Sequence, residues 1–143
     1  MKPNAHIKQY IKKITCWLGQ RGFEPEVVQQ VMRVVIPRRS GYTNPVLLFD
    51  KDKIRINLYH SLSISGSREQ NKLLEQLEPL NIQDASYAYG IGLYDKLLYA
   101  DLLPISGSNA DTDNRLDEFC QRAFITAPQM LDNLIASTIE TPV

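Results

Sequence analysis

Apolar residues at Ile7, Tyr10, Ile11, Ile14, Trp17 and Leu18 recur at the spacing of one helix face. They predict an amphipathic helix, with His6, Lys8, Lys12 and Lys13 on its wet side and Gly19 and Gly22 ending it. The pattern over residues 23–37 is mixed. Val27, Val28, Val31, Met32 and Val35 fit a helix with Pro25 in its first turn. The β-branched density of 31–36 favours a strand instead. The reading adopted is a short helical or irregular start, then a strand from about 31 to 36; helix or strand over 23–33 stays open. Pro37 ends that strand, and residues 38–45 read as a loop.

Two extended runs follow, separated by Asp50-Lys51-Asp52-Lys53, which predicts a hairpin. In the second run Ile54, Ile56 and Leu58 alternate with Lys53, Arg55 and Asn57, the period of a half-buried strand. A helix follows over "REQNKLLEQLEPL", with Ser67 and Gln70 as a capping box and Pro79 at its end. The scheme then repeats. "SYAYGIGL" is a strand, Tyr94-Asp95-Lys96 a turn, "LLYADLLPI" a strand and "RLDEFCQRAF" a helix. Pro128 interrupts that helix, and Thr126 can cap a fresh start bearing Met130, Leu131, Leu134 and Ile135.

The repetition extends to short motifs. "LFDK" at 48–51 is echoed by "LYDK" at 93–96, and "LSISGS" at 62–67 by "LPISGS" at 103–108. Matches at two places in the same order point to two ββα units with a shared structural role. The alternative, a phosphate-cradling loop, fails on chemistry. Neither copy carries the lysine that follows the last glycine of a phosphate loop, and the serines serve as helix caps.

Composition places the chain among globular proteins, with 43% hydrophobic and 22% charged residues. The expectation is one domain over residues 1–143, with no membrane span, no secretory leader and a cytoplasmic setting. Cys16 and Cys120 fall in helical patterns and are expected as buried thiols instead of a disulfide. Net charge is zero but polarised. Residues 1–39 hold eight Lys/Arg against two Glu, and the remainder eight Lys/Arg against fourteen Asp/Glu. The simpler reading pairs the basic first helix with the acidic last one; the other is a basic segment that meets nucleic acid or an acidic partner.

Candidate chemistry is sparse. Two His and two Cys without paired spacing supply no metal site, and no cofactor motif is present. Gly90 and Gly92 lie in a strand, where Ala88, Gly90 and Gly92 form a row of small residues that lets another element or a bound peptide approach. No nucleophile, base and orienter occur together, so the chain is not expected to be an enzyme. Lys8, Lys12, Lys13, Arg33, Arg38 and Arg39 are a modest basic supply, and Tyr87, Tyr89, Tyr94 and Tyr99 serve packing more readily than base stacking.

The element order is helix, strand, hairpin, helix, hairpin, helix. It predicts an α+β fold, an antiparallel sheet packed with helices as a layered sandwich. That order resembles the small chaperone fold of type III secretion chaperones and YbjN-like proteins. In size and composition the chain also resembles a small carboxysome assembly chaperone for a shell protein. The resemblance implies a non-catalytic chaperone or adaptor that holds an apolar segment or tail of a client protein, on a sheet face, at an edge, or between helix and sheet. The expected groove is lined by Ile54, Ile56, Leu58, Tyr87, Tyr89, Ile91, Tyr99, Phe124 and Leu131. No cofactor, metal or membrane is expected. Nucleic acid is disfavoured, and a homodimer is compatible with the sequence. A regulatory or nucleic-acid-binding module acting through the basic N-terminal segment is the alternative.

Overall fold

The computed structural model describes residues 5–38, 41–82, 87–105 and 112–139. Helix α1 (Ala5–Gly19) buries Ile7, Tyr10, Ile14 and Leu18, the predicted face. Its stop is a Schellman-type end. Phe23 N–H donates to Leu18 C=O at 3.0 Å, and Gly22 takes a positive φ of 83° that a side chain would resist.

Strands β1 (Glu26–Val28) and β2 (Val31–Arg33) then form a small hairpin turning at Gln29 and Gln30. The helical option for residues 23–33 is thereby corrected. Only Met32 of this stretch is buried, while Val28 is 60% exposed, so the valines serve a short edge hairpin and not a helix face. Strand β3 (Ile36–Arg38) continues along the same neighbour, so Pro37 lies inside a strand and does not end one. The predicted loop over 38–45 is also corrected, since β4 runs from Gly41 to Phe49. The break between β2 and β3 has a local cause. Val34 N–H donates to Pro45 C=O at 3.1 Å, but Pro45 has no N–H to return.

Strand β5 (Lys53–Ser63) pairs with β4 through the predicted hairpin, and Ile54, Ile56 and Leu58 all point inward. Helix α2 (Ser67–Ile82) passes through Pro79 instead of ending there. At its start the Gln70 amide reaches back to Ile64 C=O at 2.6 Å, a tie to the segment just after β5 in place of the expected capping box. Strands β6 (Tyr87–Ile91) and β7 (Lys96–Pro104) flank a 3₁₀ turn at Leu93–Asp95. The sheet is antiparallel, with order β1-β2-β4-β5-β7-β6 and β3 beside β4. Helices α3 (Thr112–Gln121) and α4 (Ala127–Ile139) follow.

The two ββα units, β4-β5-α2 and β6-β7-α3, meet at the β5–β7 pair. Each unit braces the other. Ile64 N–H donates to Asp95 C=O in the second turn, and Ile105 N–H donates to Asp52 C=O in the first, at 2.8 and 2.9 Å. Both isoleucines are buried, which explains why the "I" of each motif recurs. The aromatic residues do not match in role. Phe49 is buried in β4, whereas Tyr94 is 82% exposed in a turn with φ 59°. The second Ser-Gly-Ser lies outside the described residues.

Inward residues of β4, β5 and β7 are buried beneath the helices, whereas Leu48, Arg55, Asn57 and Leu102 on the opposite face are exposed. This is a two-layer α+β sandwich whose second sheet face is uncovered among the described residues, as antiparallel sheets allow. Among the described residues no helix is long and apolar enough to cross a membrane. Both cysteines are free. Cys120 is buried, and burial, with Asp117 nearby, pushes its thiol up to about 12 against a smaller pull from Arg21. Cys16 is exposed, contrary to the expectation for it.

Candidate functional site

Between α3 and α4 the chain stays helical but widens. Residues Arg122–Thr126 form a π-turn in which Ala127 N–H reaches Arg122 C=O. Pro128 gives the reason. Its ring would press on the carbonyl four residues back, and the wider turn relieves that contact. The expected break with Thr126 as a new cap is therefore corrected, because the residues on both sides keep helical angles.

The π-turn aims Arg122 at the sheet. Its Nε–H donates to Asp101 Oδ2 at 2.8 Å and lies 3.2 Å from the Tyr99 hydroxyl. Tyr99 O–H donates to the same carboxylate oxygen at 2.5 Å, and Leu102 N–H donates to Asp101 Oδ1 at 2.7 Å. Burial and the Asp101 carboxylate push the Tyr99 phenol well above its ordinary value. Burial alone would lower the Arg122 guanidinium, but its bond and proximity to Asp101 outweigh that and hold it raised. Tyr87 and Tyr89 meet edge to face and both tilt against the Tyr99 ring, with centroids 5.1 to 6.2 Å apart, and Arg122 sits 5.0 Å from the Tyr87 ring. Burial, then Tyr87 and Asp101, push the Tyr89 phenol up to about 12.

A cavity of about 470 Å³ opens beside these rings, between the end of α2, strand β6 and the α3–α4 junction. Tyr87 and Tyr89, two predicted groove residues, line it with Leu80, Met130 and the exposed carboxylate residues Asp117 and Glu118. Of the other predicted residues, Ile54, Ile56, Leu58, Tyr99, Phe124 and Leu131 are at most 1% exposed. They belong to the buried core and offer no open surface in this conformation, because the helix layer covers them. Ile91 remains partly exposed on β6. The small-residue face of β6 is open at Gly90, where no atom would meet a Cβ, and close-packed at Gly92, where a Cβ would lie 2.8 Å from a Tyr59 ring carbon.

Sequence reasoning missed Asn81 and Arg122. Asn81, in the last turn of α2, holds the backbone of the edge strand. Its Nδ2–H donates to Tyr89 C=O at 2.8 Å, and its Oδ1 accepts from Tyr89 N–H at 2.7 Å. The signal that could have found Arg122 is its position ahead of Pro128, where a helix must widen.

A second polar cluster joins β5, β3 and α4. His60 is fully buried; its Nδ1 accepts from Leu62 N–H at 3.1 Å, and its Nε2 faces Asp132 Oδ1 at 3.5 Å, with Arg38 3.8 Å from the same carboxylate. Desolvation lowers the imidazole's proton affinity, outweighing the pull of Asp132, and Arg38 lowers it further. A folded form that resists protonation loses stability as pH drops below the ordinary value of 6.5, because the unfolded chain then binds the proton more readily. Between pH 7.5 and 5.5 the urea midpoint of the wild type is expected to fall. The His60→Gln variant is expected to show a smaller fall over that range. Equal slopes for the two proteins would refute this assignment.

The basic residues of the first segment are dispersed. Arg21 stacks on Trp17 at 3.6 Å and Lys13 lies 5.7 Å from the Tyr10 ring centroid, while Arg38 meets Asp132. Arg39 lies outside the described residues. Among the described residues no three His, Cys, Asp or Glu side chains cluster in a way that could hold a metal ion.

Comparison with known proteins settles the fold. No protein-family model matches the chain, and no curated protein matches it. Among solved structures, the chain is similar to a chain of the heterodimeric ExoU–SpcU complex from the type III secretion system of Pseudomonas aeruginosa. The likeness has a TM-score of 0.52 at 17% identity and covers 90% of this chain and 99% of that one. The shared feature is the fold, in agreement with the α+β sandwich that the element order implied.

Proposed function

We propose that the chain is a non-catalytic protein-binding module, a chaperone or adaptor that holds a short apolar segment or terminal tail of a client protein. The observation that carries this reading is the accessible aromatic cavity at the β6 margin, within a fold shared with a chain of a two-protein secretion complex. The client-binding groove runs along Tyr87, Tyr89 and Ile91. Ile54, Ile56, Leu58, Tyr99, Phe124 and Leu131 form the firm floor behind it. A rigid floor lowers the ordering cost of binding, because only the client loses freedom. The finer reading, with a carboxysome shell protein as client as for the assembly chaperone CcmS, rests on resemblance in size and composition.

A photo-cross-linking residue at Leu80 or Met130, in cells of the natural source, tests the proposal. One dominant protein adduct is expected, cross-linked through one contiguous segment, with little adduct from the same residue at Lys51. No adduct at Leu80 or Met130, or equal yields at Lys51, would reject it.

A further inference from the structure

The Tyr89 bonds show that its N–H and C=O face away from β7, and the two-residue period turns those of Tyr87 and Ile91 the same way. Among the described residues no further strand pairs with β6, so it is a sheet edge of the kind that pairs with other chains unless covered. Asn81 covers it at the centre. A carboxamide carries the donor and acceptor of a peptide group, so its paired bonds to Tyr89 reproduce one rung of a strand ladder.

We propose that Asn81 is a displaceable latch on this edge, and that the partner which replaces it is an extended peptide carrying a lysine or arginine. The inference rests on the client-holding reading and specifies the client's chemistry. Three observations support a latch. Asn81 is exposed, so its rotamer can change without disturbing the core. Its turn of α2 is weakened by Pro79, which cannot donate to the Glu75 carbonyl. The group it mimics is a backbone amide, so what fits in its place is another strand.

The basic side chain follows from charge. A strand added to β6 sends alternate side chains toward the helix layer, where the cavity lies. Among the described residues the one cation lining it, Arg122, is already paired with Asp101. Asp117 and Glu118 add two further carboxylates, and Tyr87 and Tyr89 add ring faces. A long aliphatic stem ending in a cation matches apolar walls, aromatic faces and net negative charge together.

The test uses the full chain and a fluorescent nine-residue peptide of alternating Thr and Val with a central Lys. Asn81→Ala is expected to bind it about tenfold more tightly than wild type, because no latch must be displaced. N-methylation of the peptide's alternate amides should abolish binding, and a central Glu should weaken it. Glu118→Lys should reverse the Lys-over-Glu preference while folding normally, since Glu118 is exposed. The proposal is overturned if Asn81→Ala binds no more tightly, if the N-methylated peptide binds equally, or if the freed edge only self-associates. Cross-linking at Leu80 that persists while Asn81→Ala changes neither its yield nor the peptide affinity would remove the latch and leave the client reading standing. Loss of cross-linking alone, with the peptide results as expected, would do the reverse.

Discussion

Asp101→Ala is expected to lower the unfolding free energy by about 3 kcal/mol in urea titrations. The side chain is buried at an inward position of β7 and accepts from Tyr99, Arg122 and Leu102. Removing it strands a phenol and a guanidinium that the fold has taken largely out of water, and a deserted charge costs more than the pair gained. Asp101→Asn keeps an acceptor but no charge and should cost about half as much. The network also sets Arg122 over the Tyr87 ring, so Asp101→Ala should loosen the cavity wall. A loss under 1 kcal/mol would show that Arg122 finds other partners and that the network does not order the site.

Phe124→Ala should be larger, about 4 kcal/mol. The ring is 1% exposed, sits within the π-turn and packs 5.9 Å from Trp17 of α1. It joins the first helix to the last pair of helices, so its loss leaves a cavity at a three-way contact. Domains of this size carry roughly 5–15 kcal/mol in total, so the variant should melt about 10 °C lower by circular dichroism. Phe124→Leu keeps most of the volume and should lose far less. Equal melting of Phe124→Ala and wild type would contradict this packing.

The strongly periodic parts of the fold were legible from the chain. The face of α1, the alternation through Ile54, Ile56 and Leu58, and the second hairpin all stand where their spacing put them. Two kinds of feature were not legible. Prolines mislead where tertiary structure absorbs them, since Pro45 and Pro37 lie in strands, Pro79 lies inside α2, and Pro128 widens a helix without ending it. Short valine runs mislead because Val27 and Val28 fit a helix face as well as an edge hairpin. For the site, spacing found Tyr87 and Tyr89. It did not show which face the helices would cover, because both faces of β5 and β7 pass as sheet until the helices are placed. Asn81 was unreadable, since its role depends on a strand edge reached only through the fold.

The central claim is that a client segment is held at the β6 margin. Hydrogen–deuterium exchange tests it most directly, comparing the protein alone with the protein bound to a synthetic copy of the cross-linked client segment. The account predicts new protection over residues 87–91 and around Met130, with little change over 42–48 on the open sheet face. Protection confined to 42–48, or none anywhere, would contradict it.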